Sequence, residues 1–118
     1  MMTTKDVPVV EWHGCYDERF GELLSESSYR HPAKMPKGLL DRIYDELFRL
    51  GAVTRGSTVL DPFGGIASTA IAGTPRGLRV ICVELESKFI ESARENVEKH
   101  RRDWEAMGRP QPVVVQGD

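Results

Sequence analysis

Apolar residues recur along the chain in two rhythms. Between Pro36 and Leu50, the positions Leu39, Leu40, Ile43, Leu47 and Leu50 lie on one face of a 3.6-residue period and predict an amphipathic helix. Pro36 suits its first turn, where a missing N–H removes no bond. Gly51 follows as a left-handed C-terminal cap would. Thr58-Val59-Leu60 is a short β-prone run ending at Asp61, and predicts a buried strand. Pro62-Phe63-Gly64-Gly65 breaks that strand into a tight loop. Ile66 to Ala72 resumes as a short helix, closed by Gly73-Thr74-Pro75. Arg79 to Val83 predicts a second buried strand, ending at Glu84. Glu86 to Met107 is the clearest helix, with Ile90, Ala93, Val97, His100, Trp104 and Met107 in a single stripe. Val113-Val114-Val115 predicts a third strand, followed by Gln116-Gly117-Asp118.

This alternation of helix and strand argues for an α/β fold with three parallel strands, flanking helices and right-handed crossovers. Residues 1–30 read instead as an extended N-terminal arm that packs Trp12, Tyr16, Phe20, Leu23 and Leu24 on the main body. The composition is that of a folded domain: 40% hydrophobic, 29% charged, in 118 residues. A net charge of −2 does not suggest a strongly basic nucleic-acid module. No apolar run approaches the roughly 20 residues that span a bilayer, so no membrane partner is expected. The first ten residues lack the apolar core of a signal peptide. Cys15 and Cys82 form no metal-binding or disulfide pattern, which fits a reducing cytoplasm, and no metal site is expected.

Open parallel sheets bind ligands outside the carboxyl ends of their strands. All three strand ends carry usable chemistry: Asp61 with its glycine loop, Glu84, and Asp118. An acidic residue about 20 positions beyond a glycine loop is placed to accept hydrogen bonds from ribose hydroxyls. Gly64 and Gly65, lacking Cβ, let backbone approach a ligand. The chain has neither the GxxxxGK[ST] of a phosphate loop nor a complete GxGxxG. A carboxylate beside an aromatic, Asp61-Pro62-Phe63, suits a cationic group without phosphate. S-adenosylmethionine, with an ammonium and a sulfonium, meets that description.

Val59-Leu60-Asp61-Pro62-Phe63-Gly64-Gly65 resembles the VLDPFxGSGTT motif of the amino-methylating DNA methyltransferases, which act on adenine N-6 or cytosine N-4. His31-Pro32-Ala33-Lys34-Met35-Pro36 resembles that family's HPxxxP segment, which lines the methionine end of the cofactor. Val83-Glu84-Leu85-Glu86 resembles its GIELDPEY stretch, and Gln116-Gly117-Asp118 the loop that touches adenine. The resemblance implies a partial Rossmann-like methyltransferase fold. It implies cofactor contacts from His31, Lys34, Asp61, Pro62, Phe63, Gly64, Gly65, Glu84 and Asp118. His31 and Lys34 would hold the cofactor's carboxylate through charge-assisted bonds.

Two departures shape the expectation. Ile66-Ala67-Ser68 stands where the family has Ser-Gly-Thr, which could shift the start of the following helix. The family's [DNS]-P-P-[YFW] loop, which handles the flipped base, is absent, since no Pro-Pro occurs in the sequence. Residues 31–118 therefore read as the N-terminal, S-adenosylmethionine-binding half of a DNA methyltransferase, with no catalytic residue of its own. Such a chain is expected to bind cofactor weakly or not at all and to leave DNA unmethylated when alone. Alternatives are a fragment of an RNA methyltransferase, or a non-catalytic assembly module. An open sheet edge would favour homo-oligomers or a strand supplied in trans.

Overall fold

The structure, a computed structural model, describes residues 6–31 and 34–118. Pro32 and Ala33 of the proline segment and Met1 to Lys5 lie outside the described residues. The elements are α1 (Lys37–Arg49), β1 (Thr58–Asp61), α2 (Ser68–Gly73), β2 (Arg79–Glu84), α3 (Ser87–Ala106) and β3 (Val113–Gln116).

Pro36 stands just outside α1 as its N-cap, and its carbonyl accepts the Leu40 N–H at 3.1 Å. Gly51 takes φ +72°, a left-handed value that glycine adopts without strain. There the Gly51 N–H reaches the Phe48 carbonyl and the Ala52 N–H that of Leu47, closing the helix end as the sequence predicts. Leu50 does not join the buried stripe. It is 63% exposed, because the chain is already turning away at this residue, while Tyr44 is buried in its place. The Tyr44 hydroxyl donates to the Thr69 carbonyl at 2.7 Å, so a buried phenol is satisfied and α1 is tied to α2. On α3, Ile90, Ala93, Val97 and Trp104 are buried as expected, whereas Met107, beyond the last turn, is half exposed.

The sheet is parallel throughout, in the order β1-β2-β3. Both crossovers step in the same direction. Right-handed connections then put α2 and α3 on one face of the sheet, with α1 packed beside α2. The core lies between these helices and the strand residues Val59, Val80, Cys82 and Val114. The register places Leu60, Ile81 and Val113 in one row on the opposite face and Val83 and Val115 in the next. No helix of the described residues covers that face, and Leu60, Val113 and Val115 are 62%, 48% and 43% exposed. Parallel sheets ordinarily bury both faces, so this one is half covered.

The arm differs from expectation. It is not simply extended: short 3₁₀ turns form at Gly21–Leu23 and Glu26–Arg30. Phe20 and Leu24 reach the core, but Tyr16 is 73% exposed and Leu23 is partly so. Polar contacts with α3, Asn96 to Ser25 and Ser28 among them, add to the anchoring.

One-sided burial has a measurable consequence. Leu78, fully buried, should lose about 2–5 kcal/mol of unfolding free energy on substitution by alanine. Val115→Lys on the bare face should change stability by less than about 0.5 kcal/mol. Urea unfolding of the two variants checks the contrast, and equal losses would show that the second face is buried.

Candidate functional site

The loop after β1 is drawn onto the end of β2. The Gly64 N–H donates to the Val83 carbonyl at 2.8 Å, and the Gly65 N–H to Glu84 Oε1 at 3.1 Å. A Cβ on Gly64 would lie 2.6 Å from Cys82 Cβ, so this glycine is required for packing against the next strand. Gly65 has φ +53°, and a Cβ there would stand 3.2 Å from His31 Nε2. Both glycines thus have intramolecular reasons to lack a side chain, beyond the close ligand approach expected of them.

Asp61 shapes the same loop from within. Its Oδ1 accepts the Phe63 N–H at 3.0 Å and its Oδ2 the Thr69 hydroxyl at 2.8 Å, fixing the turn and the first turn of α2. Glu84 accepts the Gly65 N–H on one oxygen and the Glu86 N–H on the other, the latter at 2.9 Å. A carboxylate has about four lone-pair sites, so each of these groups keeps capacity to accept from a ligand. Thr69 was not anticipated; the sequence signal that could have found it is its match to the last threonine of the VLDPFxGSGTT motif.

Ala67 occupies the position of the family's second motif glycine. It keeps the left-handed backbone, φ +69° and ψ 31°, and α2 begins directly after it. A fully buried Cβ thus stands in a strained, left-handed conformation.

A cleft of about 450 Å³ brings together His31, Lys34, Asp61, Pro62, Phe63, Gly64 and Gly65, seven of the residues expected to act together. Such a volume suits a ligand of drug size. Phe63 is 88% exposed. Glu84 reaches this group through its bond to Gly65, but is not in the cleft wall. Asp118 is not brought into it; it is exposed at the tip of β3. There the Gly117 N–H donates to the Glu84 carbonyl at 3.0 Å, and Gln116 bonds Leu85 and Ser87. The two tips are adjacent for that reason.

His31 packs on Phe89, ring centroids 4.1 Å apart, beside Gly65. Burial pushes its pKa below the ordinary 6.5, Lys34 and Lys88 add to the lowering, and Glu84 opposes it. With its pKa held below 6.5, the imidazole favours the neutral form at pH 7, and Lys34 is the cation beside it. Its ammonium donates to the His31 carbonyl at 2.8 Å. Cys82 is fully buried, and burial raises its thiol to about 11, as fits an inert core residue. Among the described residues no group of His, Cys, Asp or Glu could hold a metal ion.

The family model for DNA methylases of the N6/N4 type matches residues 10–95. The chain belongs to this family. It is 32% identical over 69 residues to the type II methyltransferase M2.DpnII of Streptococcus pneumoniae, covering 58% of this chain and 24% of that protein. It is 37% identical over 62 residues to the type II methyltransferase M2.MboI of Moraxella bovis, covering 52% and 21%. The chain thus spans about a quarter of the length of these relatives. The solved structure of YjhP from E. coli shares the fold, with a TM-score of 0.50 and 16% identity over 82% of this chain and 37% of that one.

Two outcomes follow for this family member. Ala67→Gly should change stability by less than about 1 kcal/mol, since relief of about 1–2 kcal/mol of left-handed strain offsets a lost buried methyl of about 0.8 kcal/mol and a backbone entropy cost of about 0.4–1 kcal/mol; thermal unfolding checks that near-balance. For His31, the folded pKa lies below the unfolded value of 6.5. Its contribution to stability is present above that value and is lost as pH falls through the folded pKa. As pH falls below about 6.5, stability of the wild type should drop more steeply than that of His31→Gln. Parallel curves by chemical denaturation would contradict this.

Proposed function

We propose that this chain forms the S-adenosylmethionine-binding part of an enzyme that methylates an exocyclic amino group of adenine or cytosine in DNA, in the cytoplasm, within a restriction-modification system. One observation carries the reading: the carboxylates of Asp61 and Glu84, at neighbouring strand tips, flank a glycine loop whose backbone each of them holds. That arrangement suits a nucleoside with a cationic, non-phosphorylated tail. Glu84, with lone pairs to spare, accepts from the ribose hydroxyls. Asp61 and Phe63 face the cationic part, by charge and by an aromatic surface that tolerates a sulfonium. Lys34 pairs with the carboxylate, His31 closes the cleft above Gly65, and Asp118 reaches toward adenine. When bound, the cofactor supplies an electrophilic methyl group; the residues of this chain bind and orient it. The base-handling loop and the DNA-recognition segment come from elsewhere in the complete enzyme.

The bare apolar sheet face and the open edge of β1 support a further part of the proposal. They favour association with more protein, either a second copy or a strand paired in trans. No helix of the described residues is long and apolar enough to cross a membrane.

Isothermal titration with S-adenosylmethionine should give weak single-site binding. Glu84→Gln should weaken it about tenfold, because a ribose hydroxyl then meets one acceptor fewer. No heat and no thermal shift at millimolar cofactor would overturn the binding site. The chain alone should incorporate no labelled methyl into DNA, and robust incorporation would place the base-handling chemistry within these residues. Light scattering at high concentration should show oligomers; a clean monomer would remove the association proposal.

A further inference from the structure

The arm meets α3 along a polar stripe. Ser92, Glu95, Asn96, Lys99 and His100 share one side of the helix, and each bonds the segment Leu23–Ser28. Asn96 is at the centre and fully buried. Its Oδ1 accepts the Ser25 N–H at 2.6 Å. Its Nδ2 donates to the Ser28 hydroxyl and to the Ile66 carbonyl, both at 2.8 Å. Both amide protons are thus used, one on the arm and one on the loop that leads into left-handed Ala67. Three residues beyond Ser28, His31 stands over Gly65.

A buried amide shared between two segments cannot release one without leaving a donor unsatisfied. We propose that Asn96 is a positioning residue for the cofactor cleft, setting the Ile66–Ala67 peptide and the docking of the arm together, so that His31 covers Gly65 only when the loop is in its binding shape. This rests on the cleft being the cofactor site, but the link between arm and loop stands on its own geometry and is tested separately.

The test compares wild type with Asn96→Leu, Ser28→Ala and Asn96→Gln. Two readouts need no cofactor: amide exchange at Ile66 to Ser68, and the NMR titration of His31, whose ring faces Lys34, Glu84, Lys88 and Phe89. In Asn96→Leu, exchange in the loop should rise at least about tenfold and the His31 titration should move up toward its ordinary value. Ser28→Ala, which cuts only the arm side, should move His31 with a smaller effect on the loop. Asn96→Gln should recover part of both. A third readout is affinity for S-adenosylmethionine, expected to fall about tenfold in Asn96→Leu. If exchange and His31 respond while wild type binds no cofactor, the cofactor reading fails and the coupling stands. If Ser28→Ala, or a folded Asn96→Leu, leaves His31 and the loop unchanged, the coupling is overturned. Should Asn96→Leu not fold, Ser28→Ala decides it by the same two readouts.

Discussion

The turn after β1 must pass against β2 with no side chain between them. Gly64 lies so close to Cys82 that a methyl group would overlap it, and the Gly64 N–H closes on the Val83 carbonyl. That single contact sets the height of the loop above the sheet. From it follow the reach of Glu84 to the Gly65 amide, the grip of Asp61 on Phe63 and Thr69, and the left-handed step at Ala67 from which α2 departs. A loop this constrained has little freedom to follow a change of residue. This is the physical reason that Ala67, where the motif carries glycine, is held in the left-handed region that glycine favours.

Both strand-end carboxylates serve the fold first. Each oxygen of Asp61 and Glu84 already accepts a hydrogen bond from a neighbouring segment. Binding of a ligand by these groups would use lone pairs that remain, in a geometry the protein holds beforehand. Pre-organisation of this kind lowers the entropy lost on binding. It also makes substitutions at these positions act on stability and affinity together, so the two have to be measured apart.

The one-directional winding of the sheet shapes everything outside the cleft. Because both crossovers step the same way, α2 and α3 fall on one face, and the aliphatic row on the other is left largely to solvent. The arm solves a different problem. Its contact with α3 is a polar stripe centred on the buried Asn96–Ser28 bond, where an unsatisfied group is expensive, and this favours one register of docking. Phe20 and Leu24 add the apolar part of the arm's anchoring by joining the hydrophobic core.

Element type, order and approximate limits were legible from the sequence, because periodicity, proline and glycine act over a few residues. The placing of Asp61 and the Gly64-Gly65 loop was legible too, since strand ends and the loops beside them share one edge of a parallel sheet, whereas His31 and Lys34 were expected there only through the family resemblance of the proline segment. Other properties depend on groups far apart in the chain. The exposure of Leu50 depends on how the helix end is capped against its neighbours. The neutral state of His31 depends on burial beside Phe89, and the reason for Gly64 is a side chain on another strand. The role of Asn96 is the clearest case: nothing near it in sequence marks it, because its partner Ser28 is 68 residues away and Ile66 is 30. Local sequence determines which elements form; only packing decides which buried polar groups find one another, since their satisfaction is a property of the assembled interior.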